Sequence, residues 1–383
     1  MAMKPLRLCF VGPAASVTFR RWVEWFADRG HRTSVVTVEP ADGPTKFVQV
    51  DVSTPLLPRK LGRLLSAARA ALAVQRLKPD VVHVHYARGL AWGLNLAGRH
   101  PLIVTPWGSD VLAEQGAFRE WYSRGLTGRL LAAADLVTVH SLYMEERVRP
   151  LLPRTTPIVR IGWGVDLKQF RVGLDVTHLR ERWGIGPERR VVFSPRLAQP
   201  LYQHELVIRA LPLVRKERPE VLLVIPEQSA DREYLEGLKR LTADLHIAEL
   251  VRFVGAIPHE QMPLWLNLAE AMVMVPRSDG MPNTLLEGMA CGAVPVLARL
   301  PQYDEVVRHG DNGFLVETDP LALATGILQA LADPRKRRRI VEHNRTLVSE
   351  VGDQDREMDR LESWYADLAQ GQVMEPVLQA SRR

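Results

Sequence analysis

Short runs of apolar, β-branched residues alternate along this chain with longer stretches whose apolar positions recur every three or four residues. Runs at 6–11, 33–38, 81–84, 102–105, 136–139 and 157–161 have the length of strands, and the stretches 19–29, 61–77, 88–98 and 118–133 between them carry helical spacing. The pattern restarts with strands at 191–194, 221–225, 251–254, 271–275 and 294–297, interleaved with helices at 205–215, 233–242, 260–268, 284–290 and 320–331. A last amphipathic stretch, 356–368, predicts a helix that packs back on the front of the chain. Strand–helix–strand repetition implies parallel strands with helices on both faces. The sequence therefore predicts an α/β protein with two doubly wound, Rossmann-like parallel-sheet domains facing a cleft. They span 1–163 and 164–352, joined near 162–170, with 353–383 as the returning helix and a tail. Ligands of such sheets sit beyond the carboxyl ends of the strands.

Composition narrows this picture. A length of 383 residues fits two domains, and 46% hydrophobic with 25% charged residues is a globular balance. Cys9 and Cys291 each lie in an apolar run, which excludes a disulfide scaffold or zinc site and suits a reducing, cytoplasmic compartment. No apolar run approaches the ~20 residues of a membrane span, and Gly12-Pro13 breaks the first one, which reads as a strand and not a signal peptide. Charge is uneven: up to Val165 there are 22 Lys and Arg against 12 Asp and Glu, and beyond it 28 against 32. A basic front half suits anionic lipid headgroups or phosphorylated acceptors. Nucleic acid is not expected, because no recognition motif accompanies the charge. In 61–78, leucines and alanines are surrounded by Arg59, Lys60, Arg63, Arg69 and Arg76. Such a helix either turns its leucines to the core and its arginines to water, the commoner arrangement, or lies peripherally on the inner face of an anionic membrane.

The most specific stretch runs from Ser278 to Val296, after a strand and into a helix. Asn283 is a candidate N-cap, leaving the amides of Thr284, Leu285 and Leu286 to face phosphate or sugar oxygens. Asp279 and Glu287, eight positions apart, suit sugar hydroxyls and a ribose diol, since hydroxyls donate well to carboxylates. An ordinary capping turn with a buried, satisfied Glu287 accounts for the same residues equally well. His83 and His85 share one side of a strand; with no third ligand in view a metal is not expected, and His85 either lines a pocket or is simply hydrogen-bonded. Asp353-Gln-Asp355 sits in a polar segment and reads as chance.

The Ser278–Val296 block resembles the acid–x7–acid signature of the retaining glycosyltransferases of family 4, which have the GT-B fold. Further pieces match in order: Asp80-Val-Val-His-Val-His-Tyr-Ala87, Gly108-Ser-Asp110, Gly164-Val-Asp166 with Phe170, Arg196-Leu197, and Asp311-Asn-Gly-Phe-Leu-Val316 as a closing turn and strand. The resemblance implies transfer of a sugar from a nucleotide sugar, with UDP the commonest base, to a carbohydrate, lipid-linked or small acceptor, without metal or other cofactor. It implies that Glu287 binds the donor ribose and that Asp279 contacts the donor sugar. Gly280, Met281, Pro282, Asn283, Thr284 and Leu285 would line sugar and phosphates, and Arg196 would neutralise the leaving diphosphate. Gly12 would let backbone approach the diphosphate from the front domain, Trp107 and Asp110 would touch the donor sugar, and His85 and Ser16 would lie on the acceptor side. Leu201 stands where the family carries a second cation, with Gln203, His204 or Arg160 as candidate substitutes, and Trp107 stands where many members carry histidine. The alternative readings are a non-catalytic nucleotide or glycan binder and a nucleotide-sugar 2-epimerase of the same architecture.

Overall fold

The computed structural model describes residues 4–97, 101–108, 110–111, 117–228 and 230–372; the side chains of 59, 60, 96 and 117–124 fall outside that description, as do Ser109 and the tail from 373. The chain divides into two compact units, Met1–Trp163 with Asp355–Arg383, and Gly164–Gln354.

The first unit holds one parallel sheet of β1 (Arg7–Val11), β2 (Arg32–Thr37), β3 (Val48–Asp51), β4 (Val81–His85), β5 (Leu102–Thr105), β6 (Leu136–Val139) and β7 (Ile158–Arg160), in the order β3-β2-β1-β4-β5-β6-β7. Its helices are α1 (Val17–Asp28), α2 (Arg59–Leu77), α3 (Ala117–Ala132) and α4 (Leu142–Val148). Every residue of β4, β5 and β6 is buried, as expected of strands covered on both faces. One face packs Cys9, Val11, Val82, Val84 and Val104. The other packs Leu8, Phe10, Phe19, Trp22 and Phe26, and there the last helix contributes Met358, Leu361 and Tyr365.

The second unit holds a six-stranded parallel sheet. Its strands are β8 (Arg190–Phe193), β9 (Val221–Pro226), β10 (Val251–Val254), β11 (Ala269–Met274), β12 (Val294–Ala298) and β13 (Phe314–Val316), in the order β10-β9-β8-β11-β12-β13. The helices are α5 (Thr177–Trp183), α6 (His204–Glu217), α7 (Arg232–Asp244), α8 (Met262–Leu268), α9 (Asn283–Cys291), α10 (Pro320–Ala332) and α11 (Pro334–Val351), followed by α12 (Gln354–Ala369), whose body belongs to the first unit. Asp231, Asp319 and Asp333 cap α7, α10 and α11 with their carboxylates.

The chain passes from one unit to the other at Trp163–Gly164 and returns at Gln354–Asp355. The two passing segments touch: the Val165 amide donates to the Gly352 carbonyl (2.6 Å) and the Gln354 amide to the Val165 carbonyl (3.1 Å). Gly164 is required there, since it has φ +78° and a Cβ would lie 2.5 Å from Gln354 Cα. Once returned, α12 is tied down by polar contacts. Glu357 accepts from the Gly162 amide (3.0 Å), and the Trp25 indole donates to Asp355 (2.9 Å). The Leu6 amide donates to Nδ1 of His31 (3.1 Å), so Nε2–H of that buried ring donates to Glu362 (2.8 Å).

Four expectations are corrected. Strand β3 shows no apolar run because it is a short edge strand, exposed at both ends. The helices α4 and α5 are only seven residues each, too short to register as periodicity. The stretch expected as a helix at 88–98 forms a 3-10 turn, Gly89–Leu96, entered through Gly89 at φ +62°. Finally, α2 faces the other way round: Gly62, Ser66, Ala70, Ala71, Ala73 and Val74 are buried, while Leu61, Leu64, Leu65 and Leu72 are exposed.

Candidate functional site

Each sheet has one point where the chain changes direction across it: between β1 and β4 in the first unit, and between β8 and β11 in the second. Loops leaving neighbouring strands diverge there and open a crevice at the carboxyl ends. The candidate residues gather at these two points, each group within its own unit.

In the second unit, Arg196 follows β8 and Asp279 follows β11, so the crevice is bridged by their ion pair (3.1 Å), both side chains being mostly buried. Arg196 also lies over the Tyr202 ring, 4.5 Å from its centroid, and donates to the Tyr202 hydroxyl (3.0 Å). Its Nε is buried with no hydrogen-bond partner among the described residues. Asp279 accepts from the Tyr303 hydroxyl (3.1 Å) and the Gly280 amide (2.9 Å), while its own carbonyl accepts from Gln302 (2.7 Å). Burial works against the Arg196 charge, but Asp279 and the two tyrosines outweigh it and raise the pKa. Burial pushes the Asp279 carboxyl up, against the pull of Arg196, Tyr303 and the Gly280 amide. The Asp279 carboxylate, expected to contact a donor sugar, is held here by Arg196, Tyr303 and the Gly280 amide.

The loop carrying Arg196 is pinned by His204. Nε2–H donates to the Leu197 carbonyl (2.9 Å), which leaves Nδ1 to accept from the Ser194 hydroxyl (2.9 Å). Burial lowers the pKa of this ring to about 4, so it is neutral and supplies no cation. Gln203 donates to the Val275 carbonyl (2.9 Å), and Arg160 pairs with Glu145 (3.4 Å). His204 therefore supplies no cation beside Leu201, whose own side chain is exposed. An exposed arginine does lie beside it: the Arg277 amide donates to the Leu201 carbonyl (2.9 Å).

At the start of α9 the N-cap is Pro282, not Asn283. Asn283 is the first helical residue and turns its amide group back to Glu287 (2.9 Å), which is buried. The Leu285 amide is taken by the Pro282 carbonyl (3.1 Å), so it does not face the crevice as expected. Met281 is buried as well. The prolyl ring, with its fixed φ, displaces the cap by one residue.

In the first unit, Gly12 follows β1; a Cβ there would lie 2.8 Å from the Phe19 ring and 3.2 Å from His85 Cβ, so the glycine lets α1 close on the strand end. Ser16 caps α1 and accepts from the Phe19 amide (3.5 Å). His83 is satisfied on both nitrogens, by the Tyr365 hydroxyl (2.6 Å) and by Thr105 Oγ1 (2.6 Å), which in turn meets Thr138. His85 lies 4.3 Å from it, centroid to centroid, and its Nδ1 accepts from the Trp107 indole (3.4 Å). Trp107 is thus packed among rings, edge-on to Trp163 at 5.0 Å. His140 stacks on Trp163 at 4.1 Å and donates from Nδ1 to the Ile161 carbonyl (2.9 Å). Burial holds all three imidazoles neutral: His83 is lowered to about 3, His140 to about 4, and His85 well below the usual range. The buried Asp110 carboxylate accepts from the amides of Ala87 (2.7 Å), Trp107 (3.0 Å) and Gly108 (2.9 Å). Burial raises its pKa against those amides. The carboxylate expected to touch the donor sugar thus organises the loop that carries Trp107.

Tyr202, Tyr303, His140, Trp163 and Arg277 escape the sequence reading, since no spacing connects them to the residues they meet. Among the described residues no group of three or more His, Cys, Asp or Glu is placed to hold a metal ion. No described helix is long and apolar enough to cross a membrane.

Two parallel-sheet units, each with its polar loops at the switch point, define a GT-B protein. Solved structures agree on the fold: sucrose-phosphate synthase from Thermosynechococcus elongatus superposes with a TM-score of 0.81 at 19% identity, covering 96% of this chain and 100% of that one. Anabaena Alr3699/HepE in complex with UDP and glucose gives 0.78 at 19% identity, covering 94% and 100%. The family described as Glycosyl transferases group 1 matches residues 175–347, and Glycosyltransferase Family 4 matches 15–169. Both halves of the chain thus match glycosyltransferase families, and residues 175–347 match that of the group 1 glycosyltransferases. It is 34% identical over 212 residues to a GDP-mannose-dependent alpha-(1-6)-phosphatidylinositol monomannoside mannosyltransferase of Mycolicibacterium smegmatis, covering 53% of this chain and 54% of that protein. It is 26% identical over 317 residues to the N-acetyl-alpha-D-glucosaminyl L-malate synthase of Bacillus anthracis, covering 80% and 79%. The chain thus spans about half the length of the first of these relatives.

Proposed function

We propose that this protein transfers a glycosyl group from a nucleotide sugar to a hydroxyl of a carbohydrate, lipid-linked or small acceptor, keeping the anomeric configuration and using no metal ion. The observation that carries the reading is Arg196 at the switch point of the second sheet, buried, charged and with Nε unpartnered among the described residues. A guanidinium held this way suits a diphosphate leaving group, because its planar fork matches phosphate oxygens. Asp279 and Tyr202 hold the fork in place before a donor arrives. The Arg277 side chain, carried beside Leu201, adds the second cation from a different position in the chain. Glu287, steadied by Asn283, takes the ribose hydroxyls. In the transfer the acceptor oxygen bonds to the anomeric carbon on the face from which the nucleoside diphosphate departs. The bond from that carbon to the phosphate oxygen breaks, and the acceptor proton passes to the departing phosphate. Catalysis is then mainly positioning and charge stabilisation. UDP is the donor nucleotide that the family resemblance implies, and the mannosyltransferase relative is named for GDP-mannose.

The test is nucleotide release from UDP-, GDP-, ADP- and dTDP-sugars with mixed acceptors in the presence of a chelator, with the product anomer read by NMR. One donor class should be consumed, and Arg196→Ala should lower turnover by about two to three orders of magnitude, the cost of removing one preorganised charge-stabilising donor. Wild-type turnover in both Arg196→Ala and Glu287→Ala refutes the assignment. Nucleotides that raise the melting temperature without any release identify a binder instead.

A further inference from the structure

The helix α2 shows its large apolar side chains to water and its small ones to the protein. Gly62, Ser66, Ala70, Ala71 and Ala73 form the inner face. They permit so close an approach that a Cβ at Gly93 would lie 2.0 Å from the Ala67 carbonyl oxygen. Outward lie Leu61 (54% exposed), Leu64 (63%), Leu65 (42%) and Leu72 (51%). With the exposed Ala68 they occupy positions i, i+3, i+4, i+7 and i+11, one stripe along the helix axis. The turn before the helix extends this surface with Leu56, 96% exposed.

The charge around the stripe has one sign. Residues 59–77 contain no Asp or Glu, and Arg63, Arg69 and Arg76 are exposed. At roughly 100° per residue, Arg69 and Arg76 border the leucine stripe on one side. Arg69 donates to the Ser53 carbonyl (2.8 Å), and Asp51 in the same loop is engaged by the Ser53 amide (2.8 Å) and hydroxyl (3.1 Å). A contiguous apolar stripe in water marks an interaction site. A stripe bordered by cations, on a helix without carboxylates, complements a surface that is apolar a few ångströms down and negative at its boundary.

We propose that the outward face of α2 docks on an anionic lipid surface, with the leucines entering the acyl boundary and the arginines meeting the headgroups. The helix lies on the membrane and does not cross it. This inference stands on the surface alone and is independent of the transfer reaction.

The test is cosedimentation of the full chain with phosphatidylcholine vesicles made with or without phosphatidylglycerol, at low and high salt. The wild type should sediment with the anionic vesicles, less at high salt, and far less with neutral ones. Replacing Leu61, Leu64 and Leu72 together by serine should abolish binding, with tryptophan fluorescence and nucleotide release unchanged, because these side chains touch neither core nor site. Replacing Arg69 and Arg76 by glutamine should lower partitioning about fivefold per charge removed. The proposal is overturned by a wild type that ignores anionic vesicles, or by a triple-leucine variant that binds them as the wild type does. It is equally overturned by a leucine-dependent dimer in ultracentrifugation without vesicle binding, which would make the stripe a contact between two copies of the chain.

Discussion

Three neutral imidazoles within one aromatic cluster make the first unit sensitive to acid. His83 and His85 are buried and His140 is half-buried, and desolvation depresses each pKa, to about 3 for His83 and about 4 for His140. The unfolded chain takes protons on these rings near pH 6.5, and the folded unit does not. Between pH 6.5 and about 4 the unfolded state therefore binds more protons, so the folded unit is fully stable above that window and loses stability as pH falls through it. Well below pH 6.5 the loss is about 1.4 kcal/mol per pH unit for each ring, and integrating three rings from pH 7.5 to 5 gives a ceiling of about 6 kcal/mol. That is comparable to the whole stability of an ordinary domain. The rings are contacted by Trp22, Trp107 and Trp163, so tryptophan fluorescence follows the region concerned. Urea unfolding at pH 7.5, 6 and 5 should show the midpoint falling steeply, with calorimetry recording proton uptake on unfolding at pH 5.5. An unfolding free energy that changes by less than about 1 kcal/mol between pH 7.5 and 5, or native imidazole resonances titrating near pH 6.5, would refute the reasoning.

Other outcomes follow from single contacts. Asp110→Asn leaves one oxygen to serve amides that two now share, and should lower stability by about 2 kcal/mol in denaturant unfolding while reducing donor turnover through a displaced Trp107. Gly93→Ala places a methyl against the Ala67 carbonyl and should destabilise by about 3 kcal/mol or more, read as a lower melting temperature.

The sequence disclosed the elements best where burial was complete on both faces. Strands β5 and β6 fall at their expected residues because each is a fully buried run of leucine, β-branched residues and threonine between polar turns. The edge strand β3 was silent because a half-exposed, four-residue segment has no such contrast. Periodicity placed α2 but not its orientation. A leucine stripe implies a buried face only if the small-residue face is not the better partner, and here that face admits Thr54 against Gly62 and Ser66 and the Gly93 backbone against Ala67. At the site, residue types were legible and partners were not. Asp279 and Arg196 were each assigned to a ligand, yet they lie 83 positions apart and hold each other, a pairing that only the order of strands β8 and β11 creates. The displaced cap at Pro282 could have been read from Pro-Asn at the helix start, since proline fixes its own φ and leaves Asn283 free to reach Glu287.

The interruption of the first unit by the second has a consequence for synthesis. Met358, Leu361 and Tyr365 belong to the core of a unit whose other residues emerge nearly two hundred positions earlier. On the ribosome, the nascent sheet β1–β7 must wait with one face incomplete, and with His83 lacking its Tyr365 partner, while the whole of Gly164–Gln354 is made. The later-made unit has all its own strands and can close first. A ribosome stalled before α12 would carry a finished second unit on an unfinished first one. The half of the chain born first is the half that matures last, and it is the one most exposed to proteases and chaperones during translation.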